Sequence, residues 1–319
     1  MDEETGHRKV NLPNTKPAAV KTAGFVYSKK TGVDFVFETI HTIVFQAREG
    51  GGNPCPVTIN ADGLTRDQMQ AMTYDFGAES AFLMKPTQAD CDIKVRYFMP
   101  LHETDMCMHA TVGSVTALVR RGICQTSPIT LETNLGSMRV DWEMRDEQID
   151  VAVEQFLPQY QPTAPTVREI CQALRIAPEA LTGGPIQSVS TSRFKLLIPL
   201  ISKAVLDHLN PDFELLWSLC DRYETTGFYP FVLGTDHVLY ARQFPKRAGY
   251  DEDPATGVAA SALAAYLVKY RQVTVQNGWN CFTIFQGEAM GQPSVIYADV
   301  FVEENKITRT RIRGNAKML

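Results

Sequence analysis

The chain has no C-x-x-C pair, no apolar run approaching the roughly 20 residues that a membrane-spanning helix needs, and no excess of basic side chains. Each absence removes a class of function. The cysteines are Cys55, Cys91, Cys107, Cys124, Cys171, Cys220 and Cys281, scattered and odd in number. They form neither a disulfide framework nor the clustered ligands of a structural zinc site. Reduced thiols in a cytoplasmic protein are expected, and no metal. A membrane is not an expected partner, and the opening MDEETGHRKVNLPNTKPAAVK lacks the apolar stretch of a secretory signal. Lys and Arg number 31 against 36 Asp and Glu, a formal net charge of −5. A nucleic-acid binder normally carries a basic surface, so nucleic acid is not an expected partner either. Nothing in the sequence reports oligomeric state; a homodimer is compatible with it.

What is present is an ordinary globular composition, 44% hydrophobic and 21% charged. The 319 residues suffice for two domains of roughly 150 each. Residues 1–33 mix Pro, Lys, Thr and Gly without hydrophobic periodicity and read as a flexible extension. From Val33 the alternation in VDFVFETIHTIVF predicts a strand, and PVTINADG, ESAFLMKP and CDIKVRYFMP predict three more. LTRDQMQAMTYDFG reads as a helix starting near Thr65 or Asp67 and stopped by Gly77. The Pro-rich stretch VAVEQFLPQYQPTAPT marks a boundary, so a first domain is expected over 34–155 and a second over 156–300. In the second, VREICQALRI and DFELLWSLCDRYE read as helices. RFKLLIPLIS, YPFVLG, HVLYARQF, NCFTIFQG and SVIYADVFVEE read as strands. KITRTRIRGNAKML closes the chain, and strands over 301–319 could return to the first domain.

Two segments echo one another. HATVGSVTALVRRG at 109–122 and PATGVAASALAAYLVKY at 254–270 both place small residues before an apolar helix. Helices this apolar are expected to be buried, one in each domain. A helix start presents backbone N–H groups with no intrahelical acceptor and a partial positive charge, which suits a carboxylate. If the halves are pseudo-symmetric, the two starts face each other across a cleft, bringing His109, Asp253 and Thr256 to one ligand. His109 reads equally well as a hydrogen-bonded histidine, and Asp253 with Pro254 as the N-cap and first residue of a helix. Glu79 begins the apolar stretch ESAFLM; a partly desolvated glutamate is expected to have a raised pKa suited to proton transfer.

Several of these pieces occur together and in order: GGNPCPVTINADGLTRDQMQAMTYDFGAESAF, HATVG, RFKLLIPL, DEDPATG and FQGEAMGQPS. In them the chain resembles the phenazine-biosynthesis PhzF-like proteins, relatives of diaminopimelate epimerase and proline racemase. The resemblance implies an α/β (α+β) fold of two pseudo-symmetric domains. Each is a curled, largely antiparallel sheet around a central helix, with the site between them. It implies an isomerase that needs no cofactor and acts on a small carboxylate. Glu79 falls on the family's acid/base glutamate, His109 on its cleft histidine, and Asp253, Thr256 and Gly257 on its Asp-Pro-Ala-Thr-Gly. Met108 stands where the family usually has glycine, and Val258 where it usually has serine. Both changes argue against the phenazine intermediate itself as substrate. Cys107 aligns with one catalytic cysteine of the racemases, but Pro254 stands at the other, which excludes a two-thiol mechanism. Cys107 as a single acid/base stays open beside its reading as a packed thiol. So do an epimerase or lyase using Cys107 or Asp253, and a non-catalytic small-molecule binder.

Overall fold

The computed structural model describes residues 37–319, so the expected flexible extension over 1–33 lies outside the described residues. Among the described residues six α-helices are formed: α1 (Arg66–Phe76), α2 (Met108–Arg120), α3 (Val167–Leu174), α4 (Lys203–Asp207), α5 (Phe213–Arg222) and α6 (Gly257–Lys269). Local chemistry sets their ends. Thr65 accepts from the Gln68 N–H while the Gln68 side chain accepts from the Thr65 N–H, and Gly77 ends α1 at φ 64°. Thr166 and Glu169 make the same reciprocal cap on α3, and Asp212 caps α5. No helix among the described residues is long and apolar enough to cross a membrane.

The described residues also form 17 strands, joined in one hydrogen-bonded network. Most pairings are antiparallel; Lys195–Pro199 with Gly227–Leu233 and Asn53–Ile59 with Ser80–Met84 are among the parallel ones. The sheet curls about α2 and α6, both buried along nearly their whole length. That is why neither helix has a polar face: each is surrounded by strands. Gly113 lets α2 approach the first strand, since a Cβ there would lie 2.7 Å from Thr42 Oγ1.

The last strand, Lys306–Met318, joins the two halves. It pairs with Ser294–Glu303 through residues 306–313, with Gln148–Gln155 through 310–315 and with Glu38–Val44 through 316–318. One close approach depends on Gly314 in this strand. A Cβ at that position would lie 2.2 Å from the Phe45 ring, which is only 1% exposed and cannot swing into solvent. Gly314→Ala is therefore expected to cost about 1–3 kcal/mol, the usual range for overpacking a core. Its denaturant midpoint, compared with wild type at equal slope, measures this.

One local expectation is corrected. The second buried helix begins at Gly257 with Thr256 in the N-cap position, not at Pro254 with Asp253 as its cap. Asp253 instead forms a bridge with Gln243, its N–H donating to the Gln243 carbonyl at 3.1 Å. The chain between Asp253 and Thr256 is thereby held outside the helix, and the Asp253 carboxyl is left to other partners.

Candidate active site

The starts of α2 and α6 meet. A Cβ at Gly257 would lie only 2.7 Å from Met108 Cβ, so these two residues form the contact between the helix ends. Beside this contact is a cavity of about 260 Å³. Its walls include Glu79 from the turn after α1, Cys107 and His109 from the start of α2, and Asp253, Thr256 and Val258 around the start of α6. All eight residues singled out in the sequence line this one cavity. Residues of both helix starts border it, and a helix start leaves N–H groups without intrahelical acceptors.

Glu79 sits at the centre of a hydrogen-bonded cluster. The Cys107 thiol donates to Glu79 Oε2 at 3.0 Å, and the Tyr250 hydroxyl donates to Glu79 Oε1. His109 Nδ1 is 3.2 Å from Cys107 Sγ and 3.6 Å from Glu79 Oε2. Burial pushes the Glu79 pKa up, but the His109 ring, these two donors and the Arg193 guanidinium outweigh it and hold the carboxyl below its ordinary range. This corrects the raised pKa expected from the apolar sequence around Glu79. The same cluster acts oppositely on its donors. Burial, then the Glu79 charge, pushes the Cys107 thiol and the Tyr250 hydroxyl well above their usual values. Both are protonated at neutral pH, as donors to a carboxylate must be. Burial lowers the His109 pKa more than Glu79 raises it, so the ring is neutral near pH 7.

Asp253 is the second carboxyl of the cavity. It accepts from Asn53 Nδ2 at 2.8 Å, from the Thr256 hydroxyl and from the Ala255 N–H at 3.4 Å. Burial, and then the Glu79 charge, nevertheless push its pKa up to about 7. Two carboxyls facing one cavity thus differ: one is held ionised, the other is partly protonated at neutral pH. Gln286 braces this side, its amide N–H donating to the Asp253 carbonyl at 2.7 Å and to Thr256 Oγ1 at 3.0 Å. Glu79, Cys107 and His109 place their donor atoms within 4.8 Å of one another, a spacing that could serve one metal ion. A protonated thiol is a poor metal ligand, and here the three bond one another.

Met108 and Val258, both buried, stand on the cavity wall. The Met108 sulfur accepts from Gln155 Nε2 at 2.8 Å. Sequence reasoning missed Tyr250, Arg193, Lys195 and Gln243, which also line the cavity. Arg193 and Lys195 lie two apart at the entry to a strand, and Tyr250 lies three residues before Asp253.

The family of phenazine biosynthesis-like proteins, PhzC-PhzF, matches residues 43–319. The chain belongs to this family. An uncharacterised isomerase of Clostridium acetobutylicum is 30% identical over 272 residues, covering 83% of this chain and 90% of the relative. The trans-2,3-dihydro-3-hydroxyanthranilate isomerase of Pseudomonas chlororaphis is 28% identical over 266 residues, covering 83% and 90%. The crystal structure of a Bacillus anthracis PhzF-family protein superposes with a TM-score of 0.80 at 27% identity, covering 88% of this chain and 96% of that one. The mixed α/β, sheet-dominated architecture is thus that of the PhzF family.

Proposed function

We propose that this PhzF-family protein is an isomerase that moves a proton on a small amino- or hydroxy-acid-like carboxylate, with Glu79 as its acid/base. The observation that carries this reading is the Glu79 carboxylate, ionised and held by Cys107 and Tyr250 at the wall of a cavity that two helix starts also reach. The names of the relatives support isomerisation in general.

The proposed sequence of events uses the chain's own groups. The substrate carboxylate docks at the N–H groups of the helix starts. Glu79 removes a proton from carbon, and the negative charge that develops on the substrate is stabilised by the same N–H groups and helix dipoles. The proton, now on Glu79, returns to a second carbon. Tyr250 and Cys107 stay protonated throughout and orient the carboxylate. His109 and Asp253 contact polar groups of the substrate. Met108 and Val258 narrow the cavity, favouring a substrate other than the dihydro-hydroxyanthranilate. Incubation with candidate amino and hydroxy acids in deuterated water tests the proposal: a turned-over acid gains deuterium at carbon, and a protein that only binds gives none.

The thiol makes a separable prediction. Cys107 touches the base, so it is more than a packed residue, but its raised pKa leaves it without a thiolate. Cys107→Ala removes one of two donors to Glu79 and is expected to lower the deuterium incorporation rate by less than about tenfold, the worth of one hydrogen bond to a charged group at the low end of its range. Complete loss in a folded variant would transfer the proton chemistry to sulfur.

A further inference from the structure

The same cavity carries a further set of side chains, and the proposed mechanism does not use it. Arg193, Lys195, Gln243 and Lys246 all face the cavity. Lys246 is committed to Asp221 in an ion pair. Neither Arg193 nor Lys195 has an ion-pair partner among the described residues. Arg193 donates only to the Thr104 hydroxyl, at 3.1 Å, and Lys195 only to the Thr226 carbonyl, at a long 3.4 Å. Lys195 is 5% exposed, so its ammonium is removed from water with no carboxylate in contact with it. A buried charge in that condition is costly unless something pairs with it.

Gln243 is a second, independent sign. Its side chain is 1% exposed, and both its amide nitrogen and its amide oxygen lack a hydrogen-bond partner. Buried amides are almost always bonded, so one facing a cavity with neither end satisfied points to an absent ligand. Gly227 leaves the space that the Gln243 amide occupies: a Cβ there would lie 2.4 Å from Gln243 Nε2. The backbone of Gln243 is fixed by the Asp253 bridge, so the amide is tethered to the same segment that carries the second carboxyl. An ammonium, a guanidinium and an amide N–H around one space match an acceptor-only group with two oxygens.

We infer that Arg193, Lys195 and Gln243 form a second anion subsite, so that the substrate is a small dicarboxylate. One carboxylate lies at the starts of α2 and α6 and the other between these three side chains. The inference rests on the proposed carboxylate site at the helix starts and names the class of acid that site acts on. It also explains the charge pattern. Glu79 and Asp253 act on Arg193 and Lys195 through space without contacting them, whereas a second substrate carboxylate would contact both.

Calorimetric titration of the full chain tests this with succinate, glutarate and adipate, each against its own half-amide. The half-amide keeps length and shape and loses one charge. For the best-bound diacid, the half-amide is expected to bind about tenfold or more weakly. Lys195→Met and the neutral, similarly sized Gln243→Leu should each bring the diacid down toward its half-amide. A thermal melt confirms that each variant is folded, and the wild-type comparison needs no variant at all. Equal affinity of diacid and half-amide in the wild type overturns the subsite while leaving the helix-start site standing. So does a diacid preference that survives in both folded variants. If neither diacids nor half-amides bind, the carboxylate reading of the cavity falls, and the subsite with it.

Discussion

Glu79→Gln is expected to lower proton transfer by about 10²–10⁴-fold, the usual contribution of a positioned general acid–base, and to leave the fold intact. Glutamine has the same shape, and its amide can still accept from Cys107 or Tyr250, the two donors that hold the carboxylate. It cannot take a proton from carbon at neutral pH. The measurement is the rate of deuterium incorporation from heavy water into a turned-over acid, read by mass spectrometry, beside a thermal melt. Turnover near wild type would remove Glu79 from the mechanism. Because its pKa is held below the ordinary 4.5, wild-type Glu79 is competent as a base throughout the neutral range and is lost only as pH falls through that lowered value.

Asp253→Asn is expected to raise stability at alkaline pH relative to acid. Asp253 ionises near pH 3.8 in an unfolded chain and near pH 7 in the folded one, because burial and the Glu79 charge oppose its ionisation. Between those values the folded protein retains a proton that the unfolded chain has released. Unfolding then becomes easier as pH rises. Over the whole interval this single group costs on the order of 4 kcal/mol. Asparagine does not titrate. The advantage of the variant over wild type should therefore grow by about 2–3 kcal/mol between pH 5 and pH 8, whatever its constant cost in hydrogen bonds to Thr256 and Asn53. Denaturant unfolding at the two pH values measures it, and an unchanged difference would show that Asp253 is not the strained carboxyl. The expected gain would show that keeping two carboxyls in one small cavity is a cost the native site carries.

Five of the six helices described and most of the strands were legible because their signals are local; the short helix Lys203–Asp207 was not read. Thr65, Gln68 and Gly77 lie within one helix of each other, and Thr166 and Glu169 within one turn. The strands Ile129–Thr133, Gly136–Arg145 and Gln148–Gln155 gave a weaker signal. The middle one carries a mostly exposed run, DWEMR, whose alternation fades where one face meets solvent. The start of α6 was misplaced by the strong preference of Asp-Pro for the first turn of a helix. The bridge to Gln243, ten residues earlier in the chain, overrode it.

By itself the sequence determined the family, the two buried helices, and the residues Glu79, His109 and Asp253, because each sits in a contiguous motif whose meaning does not depend on the rest of the chain. Tertiary structure decided what those residues are. An apolar neighbourhood read along the chain implies a raised Glu79 pKa, yet the groups that reverse it, His109 first, then Cys107, 28 residues away, and Tyr250, 171 residues away, come from elsewhere in the chain. The wall of Arg193, Lys195 and Gln243 was likewise invisible in the sequence, where two basic residues before a strand look like a solvated edge. Electrostatic effects depend on distance in space and on exclusion of water, and neither can be read along a chain until its halves have folded together.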